Sequence, residues 1–376
     1  MKILFINPIH IGEKGGGEIV VLIQLNICKK IGKVTYFGRP FRSKKDKDGL
    51  ERIIEVKVSK RKSIKALFKR YSSSIIVDWI DFRNEIKIKE YDFAYIQFSY
   101  LDMIVEDLKK LKIPTIVKVH NIEYNLNNLL INKNKHNFVK NIFQKRKIKA
   151  EKSVIDKSDI CLVFSKEEKE DLISIYNIDE EKVKIRCMSL FRQEYHYKPN
   201  NNILITGSLW YKPNVDGIVW FIENVWRHLP VSSKQINLSI AGSRAQKKLK
   251  KVLHKYKGIK LYEDVEDMSL LFSKAGIYIA PIFWGAGVKV KICEALSYGL
   301  PIILTKHANI GYNLMNKEEA IITDSAEEMR QSIIELLEND DKKAKISKSA
   351  FEKFDKKHSF HYDLMSFKSL LTDLNI

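Results

Sequence analysis

The sequence predicts an α/β protein with two doubly wound domains. Short β-branched or apolar runs alternate with longer segments of helical period, which is the pattern of a parallel sheet covered by helices. Two such series follow each other along the chain, separated by the aperiodic stretch 191–202. The chain has 376 residues and is 45% hydrophobic. That is enough for a core in each domain and excludes a disordered basic protein.

The predicted strands fall into two sets. The first set is Lys2–Asn7, Val34–Phe37, Ser74–Val77, Phe93–Gln97, Thr115–Val119, Ile160–Phe164 and Val183–Arg186. The second set is Asn202–Thr206, Leu238–Ala241, Ile259–Leu261, Ile277–Ala280, Pro301–Leu304 and Ala320–Ile322. We therefore place the domains at 1–195 and 200–358, and a helical pattern over 359–376 follows the last predicted strand.

The chain is strongly basic, with a net charge of +20. Residues 1–200 hold 41 basic and 26 acidic groups, whereas residues 201–376 hold 25 and 20, so most of the excess lies in the first domain. Three interpretations are open: contact with an anionic membrane surface, nucleic-acid binding, and solvated helix faces in a lysine-rich protein.

Two basic runs favour the membrane surface among these three. Residues 60–70 combine six Lys and Arg with an apolar helix face. That face is made by Ile64, Leu67, Phe68 and Tyr71. The second run covers 133–152. A basic amphipathic helix suits an anionic leaflet, and neither run is accompanied by a nucleic-acid-binding signature, so no nucleic-acid partner is expected.

The cysteines and the N-terminal segment point to the cytoplasm. The cysteines at 28, 161, 187 and 293 are far apart and lack CxxC spacing, which predicts reduced thiols and no metal site. Pro8 and the glycines at 15–17 interrupt the first apolar run before a signal peptide can form. We therefore expect a cytoplasmic protein, free or peripheral on the inner face of the cell membrane.

A glycine-rich loop and a polar segment each follow a predicted strand of the first domain. Gly15, Gly16 and Gly17 open an apolar-periodic helix, where exposed N–H groups favour an anion or a hydroxyl-bearing group. The spacing is neither the dinucleotide fingerprint nor the P-loop motif. His120, Asn121 and Glu123 follow Thr115–Val119 and are candidate substrate contacts. The alternatives are a flexible turn without ligand and a structural histidine.

The densest signal lies in the second domain. Gly285 and Gly287 precede a predicted helix, and Lys289 adds a charge at its start, an arrangement that suits a diphosphate. Glu294 lies further along that helix and is better placed for two vicinal hydroxyls, as on ribose. Lys212, after the loop that follows Asn202–Thr206, can direct an ammonium group at the same anion or be solvated.

These segments together resemble the retaining glycosyltransferases of the GT-B fold, in particular the large family four group (glycosyl transferases group 1). The resemblance rests on the segments GGGE at 15–18, His120–Glu123, GSLWYKPN at 207–214, Glu263–Val265 and GAGVKVKICEALSYGLPII at 285–303. It implies two Rossmann-like domains facing a central cleft, with the C-terminal helix packing back on the N-terminal domain.

The resemblance also implies roles for individual residues. The catalytic candidates are His120, Lys212 and Lys289. The donor-binding candidates are Gly16, Gly17, Ser208, Val265, Gly285, Ala286, Gly287, Val288 and Glu294. The acceptor-side candidates are Asn121 and Glu123. In this scheme the two lysines neutralise the donor diphosphate, Glu294 holds the ribose and Val265 lies near the nucleobase.

One position departs from the family pattern. Many members carry two glutamates eight residues apart, and the residue eight before Glu294 is Ala286. The contact with the transferred sugar therefore does not carry over, and we interpret the change as altered donor recognition. No convincing Asp-x-Asp is present, since Asp46 and Asp48 lie in a basic loop without other support. The sequence thus predicts neither a metal nor a cofactor.

The implied function is transfer of a hexose-type sugar from a nucleotide diphosphate sugar, with UDP as the expected nucleotide. The acceptor is expected to be a hydroxyl of a saccharide or a lipid-linked molecule, with retention of configuration, in cell-surface polysaccharide or glycan assembly. The alternatives are a nucleotide-sugar epimerase or hydrolase of the same fold, and a non-catalytic GT-B subunit of a transferase complex.

Overall fold

The chain forms two compact units. Unit 1 comprises Met1–Cys187 and Asp363–Ile376, and unit 2 comprises Met188–Tyr362. The computed structural model describes residues 1–12, 15–57, 59–87, 89–131, 138–229 and 236–376, with the backbone alone at 128–131 and 138–141.

The sheet of unit 1 has seven parallel strands. They are β1 (Lys2–Asn7), β2 (Lys33–Gly38), β3 (Arg52–Glu55), β4 (Phe93–Gln97), β5 (Thr115–Lys118), β6 (Ile160–Val163) and β7 (Val183–Ile185). Their order is β3-β2-β1-β4-β5-β6-β7, so the direction of winding reverses between β1 and β4. Ligands of doubly wound sheets bind beyond the carboxyl ends of the strands at such a reversal.

Helices cover the sheet of unit 1. They are α1 (Gly16–Ile31), α2 (Lys60–Phe68), α3 (Ile75–Phe82), α4 (Asp102–Lys110), α5 (Glu123–Ile131), α6 (Phe138–Lys157) and α7 (Lys166–Tyr176). The ring of Phe37 on β2 lies 5.4 Å from Trp79 and 5.0 Å from Phe82, both on α3. Burial of these large rings provides much of the hydrophobic stabilisation that holds α3 on the sheet.

Unit 2 has a second doubly wound sheet of six parallel strands. The strands are β8 (Asn202–Thr206), β9 (Asn237–Gly242), β10 (Ile259–Glu263), β11 (Ile277–Ala280), β12 (Ile302–Leu304) and β13 (Ile321–Ile322). Their order is β10-β9-β8-β11-β12-β13, with the reversal between β8 and β11. The helices are α8 (Lys212–Asn224), α9 (Lys247–Leu253), α10 (Ser269–Ser273), α11 (Val290–Ser297), α12 (Ala326–Glu338) and α13 (Asp340–Lys357).

The last helix, α14 (Phe360–Asp373), packs against the sheet of unit 1 from Asp363 onward. Arg186 Nε donates to the Asp363 carboxylate at 2.5 Å, and both side chains are 3% exposed. The Phe367 ring lies 5.4 Å from Tyr95 on β4, and the Arg186 guanidinium lies 4.0 Å from the Phe367 ring. The expected return of the C-terminal helix to the N-terminal domain is confirmed.

One predicted strand is wrong. Ser74–Val77 precedes and begins helix α3, and the third strand of the sheet is instead β3. A short apolar run such as Ile75, Ile76 and Val77 does not distinguish a strand from a buried helix segment. The sequence signal for β3 is weak because it is an edge strand with partly exposed residues. The other twelve predicted strands match observed ones to within two residues at each end.

In the described part of the chain, no helix has both the length and the apolar character needed to cross a bilayer.

Candidate functional site

Two neighbouring strands of unit 2 lead into the predicted donor loops. β8 and β11 are adjacent and parallel, and the winding of the sheet reverses between them. The loop after β8 contains Gly207 and Ser208, and the loop after β11 contains Gly285 and Gly287. Since the carboxyl ends of parallel strands lie at one edge of the sheet, the fold brings these two loops together where a ligand is expected.

The two loops contact each other directly. Tyr211, just before α8, forms a hydrogen bond with the backbone of Ala286. A Cβ added to Gly285 would lie 3.4 Å from the Tyr211 hydroxyl and from the Pro213 ring. Gly285 has a φ of 130°, which L side chains rarely adopt. Glycine at 285 is therefore required by the backbone conformation, whatever the loop binds.

Lys291 and Asn214 join the helices that follow these strands. Lys291 Nζ donates to Asn214 Oδ1 at 2.7 Å, and Asn214 Nδ2 donates to the Ser208 carbonyl at 3.0 Å. A Cβ added to Gly207 would lie only 2.5 Å from Lys291 Nζ. The Lys291 ammonium thus lies directly against the loop after β8. Sequence reasoning missed Lys291, although its position three residues before Glu294 on one helix was a usable signal.

Glu294 lies one turn after Lys291 on the same face of α11. Burial raises the pKa of Glu294 to about 7 and lowers the pKa of Lys291 to about 7, while their mutual attraction opposes both shifts. Among the described residues, none donates a hydrogen bond to the Glu294 carboxylate. A partly buried carboxylate without donors is costly, so ligand hydroxyls at this position would be favourable.

Lys289 occupies the cap position immediately before α11. Its Nζ donates to the Gly287 carbonyl at 2.6 Å and lies 3.2 Å from His307 Nε2. The buried Tyr312 hydroxyl donates to the Lys289 carbonyl at 2.8 Å, which fixes the backbone at the helix start. The ammonium group and the amino end of α11 therefore place positive charge on the glycine loop, as anion binding requires.

Lys212 is the most exposed of the predicted charged residues. Its Nζ lies 2.7 Å from both carboxylate oxygens of Asp216, four residues later on α8, and 5.8 Å from the ring of Trp284. Ion pairs between exposed side chains contribute roughly 0–1 kcal/mol. The Lys212 ammonium can therefore exchange Asp216 for an incoming anion at little cost.

The remaining donor candidates of unit 2 are half-buried loop residues. Ala286 and Val288 flank Gly287 in the loop before α11. Val265 follows β10, at the edge of the sheet and two strands from β8. The preceding Asp264 has a φ of 53°, so the chain turns sharply just before Val265.

In unit 1, α1 begins at Gly16 after the cap residue Gly15, without a side-chain cap. The first N–H groups of the helix, including those of Gly16 and Gly17, therefore have no side-chain acceptor at the cap position. Glu18 in the first turn pairs with Arg42 at 2.6 Å. Glu13 and Lys14 of the predicted loop lie outside the described residues.

His120 is buried beyond the end of β5. Its ring stacks on Phe98 at 4.1 Å, and its Nε2 lies 2.7 Å from Gln97 Oε1. Burial and the neighbouring Lys118 lower the pKa of His120 to about 3, so the imidazole is neutral at pH 7. A general base works best with a pKa near the operating pH. The lowered pKa of His120 and its contact with Gln97 therefore favour a neutral hydrogen-bonding role over proton transfer.

The other two acceptor-side candidates differ in their surroundings. Asn121 is half-buried directly after His120. Glu123 is 4% exposed, accepts a hydrogen bond from Gln144 at 2.7 Å and lies 3.9 Å from Lys147 Nζ. Its carboxylate is thus occupied by α6, which favours a structural role for Glu123.

Sequence reasoning also missed Glu151, a fully buried carboxylate of α6. It accepts hydrogen bonds from the backbone N–H of Glu123 and of Tyr124, and from the hydroxyls of Ser99 and Tyr176. Burial raises the pKa of Glu151 to about 7. The carboxylate caps the amino end of α5 and so helps to fix the segment that carries His120 and Asn121.

No group of three or more His, Cys, Asp or Glu residues in the described ranges is arranged to hold a metal ion.

Comparison with solved structures identifies the architecture. HepE of Anabaena in complex with UDP and glucose superposes with a TM-score of 0.74 at 13% identity, over 99% of this chain and 100% of that one. WaaG, a glycosyltransferase involved in lipopolysaccharide biosynthesis, superposes with a TM-score of 0.70 at 13% identity, over 97% and 98% of the chains. The fold is GT-B.

Sequence comparison finds a similarity to one family in the C-terminal half of this GT-B protein. Residues 200–339, within unit 2, match the family model described as glycosyl transferases group 1. An uncharacterized 44.6 kDa protein in the cps region of Klebsiella pneumoniae is 27% identical over 187 residues. That match spans 47% of this chain and 48% of the Klebsiella protein. The family segment contains Lys212, Lys291 and Glu294.

Proposed function

We propose that the protein is a glycosyltransferase that moves a hexose-type sugar from a nucleotide diphosphate sugar to a hydroxyl of a saccharide or lipid-linked acceptor. One observation carries the proposal. Lys291 and Glu294 lie close together near the loops after β8 and β11, within the segment that matches glycosyl transferases group 1. The Glu294 carboxylate accepts no hydrogen bond from any residue that the structure describes. An ammonium and a carboxylate at this edge suit a diphosphate and a ribose.

In the proposed complex, the diphosphate lies at the amino end of α11. Lys289 and Lys291 neutralise its charge, and Lys212 joins them by releasing Asp216. Each hydrogen bond to a charged phosphate oxygen contributes about 1.5–3 kcal/mol. Glu294 accepts from the ribose hydroxyls, and Val265 lies near the base. UDP is the expected nucleotide, which is supported by the UDP bound in the HepE structure.

We assign the acceptor side to unit 1. The neutral His120 ring and Asn121 offer hydrogen bonds to a sugar or an acceptor hydroxyl. The reaction proceeds with retention, and the leaving phosphate helps to deprotonate the acceptor hydroxyl. The lysines and the start of α11 stabilise the developing charge on the leaving group without a metal ion. The Gly16 and Gly17 N–H groups, at the start of α1, bind an anionic or hydroxyl-bearing group of a substrate.

The biological setting belongs to the same proposal. We place the enzyme in cell-surface polysaccharide or glycan assembly, in the cytoplasm and peripheral on the inner face of the membrane. Support comes from the cps-region relative and from WaaG, which is involved in lipopolysaccharide biosynthesis.

A donor screen followed by a release assay tests the function. UDP-, GDP- and dTDP-hexoses are first ranked by thermal stabilisation of the protein, because ligands that bind only the native state raise its stability. Nucleoside diphosphate release is then measured with and without a panel of saccharide and prenyl-phosphate-linked acceptors. Release that requires an acceptor supports a transferase, and the anomeric coupling in the product's NMR spectrum reports retention.

The other outcomes separate the alternatives. Donor turnover without any acceptor would indicate an epimerase or a hydrolase. If none of the nucleotides in the screen binds, the protein is a non-catalytic GT-B subunit, the alternative that Ala286 raises. In an active enzyme, we expect Glu294→Ala and Lys289→Ala each to lower transfer by at least about 100-fold at unchanged thermal stability. The exposed Lys248→Ala on α9 is the matched control.

A further inference from the structure

Helix α2 of unit 1 carries two of the most exposed apolar side chains in the described part of the chain. Phe68 is 81% exposed and Ile64 is 53% exposed. They lie four residues apart, so they occupy one face of the helix. Contiguous exposed apolar surface on a helix marks a site of interaction rather than a core.

The opposite face of α2 is fixed to the body of unit 1. Ala66 is fully buried, and the Lys62 ammonium pairs with Asp78 on α3. Ser59 caps the amino end by accepting a hydrogen bond from the Lys62 backbone N–H. The exposure of Ile64 and Phe68 is therefore set by a docked helix, which holds both side chains outward.

The exposed face of α2 is also strongly basic. Lys60, Arg61 and Lys65 flank the two apolar side chains, and Lys69 and Arg70 follow at the end of the helix. All five are exposed, and none forms an ion pair with any residue that the structure describes. The sequence contains no Asp or Glu between Glu55 and Asp78. The positive charge of this face is therefore not neutralised locally.

A second basic segment lies beside the first. Arg146 on α6 donates through Nη1 to the carbonyl of Leu67, in the last turn of α2, at 2.9 Å. Its neighbours Lys145 and Lys149 are exposed. Two basic runs that are far apart in the sequence thus meet at the last turn of α2. We call this surface, formed by residues 60, 61, 64, 65, 68–70, 145, 146 and 149, the α2 patch.

We propose that the α2 patch docks unit 1 onto an anionic lipid leaflet, with Ile64 and Phe68 inserted among the acyl chains and the basic residues at the headgroups. Charge complementarity selects an anionic partner, and the inserted aliphatic and aromatic groups select lipid. Nucleic acid would pair with the charges and leave Ile64 without an apolar environment. A second copy of the same patch would be repelled by its like charge. The surface does not depend on the activity proposed above.

Vesicle co-sedimentation of the full chain tests the proposal. We expect binding to phosphatidylcholine vesicles that contain 30% phosphatidylglycerol, little binding to pure phosphatidylcholine, and loss of binding at high salt (about 0.5 M). The double variant Ile64→Ser/Phe68→Ser and the triple variant Lys60→Gln/Arg61→Gln/Lys65→Gln should each lower partitioning by about tenfold or more. Circular dichroism and thermal unfolding confirm that each variant is folded.

A matched charge control separates position from net charge. Lys247→Gln/Lys248→Gln/Lys251→Gln removes three exposed lysines from α9 of unit 2, and we expect it to leave vesicle binding within about twofold of wild type. Three results would overturn the proposal. They are no binding to anionic vesicles, equal loss in the α9 control, and unchanged binding in Ile64→Ser/Phe68→Ser. Tight, salt-sensitive binding to duplex DNA or RNA that depends on the α2 lysines, without vesicle binding, would assign the patch to nucleic acid instead.

Discussion

Lys291 donates to the side-chain carbonyl of Asn214 at 2.7 Å, and this bond joins the helix after β11 to the helix after β8. The two residues are 77 positions apart in the sequence. The bond holds an ammonium group against the Gly207 backbone, beside the Glu294 carboxylate. The geometry of the candidate donor site in unit 2 therefore depends on a contact between its two half-sites.

Replacement of Lys291 by Met should weaken donor binding without lowering the stability of the protein. We expect Lys291→Met to weaken UDP-glucose binding at least about tenfold, because it removes a charge that the proposed complex places against the diphosphate. Burial lowers the pKa of Lys291 to about 7, so the charge is unfavourable in the free protein. The melting temperature should therefore stay equal or rise. Calorimetry and thermal unfolding check this, with Lys248→Met as control. Wild-type affinity in Lys291→Met would remove this residue from the site.

The pH dependence of donor affinity follows from the protonation of Glu294 and Lys291. In the proposed complex, the ribose hydroxyls bind the ionised Glu294 carboxylate and the diphosphate binds the Lys291 ammonium. Because both pKa values lie near 7 in the free protein, Glu294 must lose a proton below about pH 7 and Lys291 must gain one above it. We expect UDP-glucose affinity to peak near pH 7 and to fall on both sides. Glu294→Gln should flatten the acid side, and Lys291→Met the alkaline side. A profile that is flat in wild type between pH 5.5 and 8.5 would contradict the pairing.

Glu151 makes stability depend on pH. Burial raises its pKa from the ordinary value of 4.5 to about 7, so its contribution is fully present below pH 4.5. That contribution is lost as pH rises through about 7. Glu151→Gln should reduce this decline in the free energy of unfolding, measured by urea denaturation between pH 5 and 8. Glu151→Ala removes the cap of α5 and should cost about 1–3 kcal/mol at pH 6. An identical pH slope in wild type and Glu151→Gln would exclude this origin.

The buried pair that holds α14 should be essential for stability. Asp363→Asn leaves the Arg186 charge, 3% exposed, without its carboxylate, and we expect a loss of about 3–5 kcal/mol in the free energy of unfolding. The exposed Arg192–Asp355 pair of unit 2 gives a matched control. Asp355→Asn should cost less than about 1 kcal/mol. Equal effects of the two substitutions would show that Asp363 does not hold the helix.

Gly207 provides a steric test of the half-site contact. A Cβ at 207 would meet Lys291 Nζ at 2.5 Å and Asn214 Nδ2 at 2.8 Å, at a φ of 146°. We expect Gly207→Ala to cost about 1–3 kcal/mol of stability and to weaken donor binding more than tenfold by displacing the lysine. The exposed Gly49→Ala, also at positive φ, controls for backbone strain alone. Comparable donor affinity in both variants would contradict the role of this contact.

The alternating apolar runs were sufficient to predict both sheets, because a buried parallel strand is a continuous apolar segment. They failed at Ser74–Val77, where three apolar residues after Ser74 begin a helix, and at β3, an edge strand with weak apolar character. Glycines and lysines after strands predicted the loops that we propose as the donor site, and the structure brings these two loops together. The Lys291–Asn214 bond and the Glu151 cap could not be predicted, since each depends on a tertiary contact between residues far apart in sequence. The low pKa of His120 also required its burial beside Lys118.

A crystal structure of the protein soaked with UDP tests the central claim most directly. We expect the ribose hydroxyls to lie about 3 Å from the Glu294 carboxylate, with the diphosphate at the amino end of α11 within hydrogen-bond distance of Lys289 or Lys291. Density for UDP elsewhere in unit 2, or a ribose that does not contact Glu294, would contradict the assignment of this edge of the sheet to the donor.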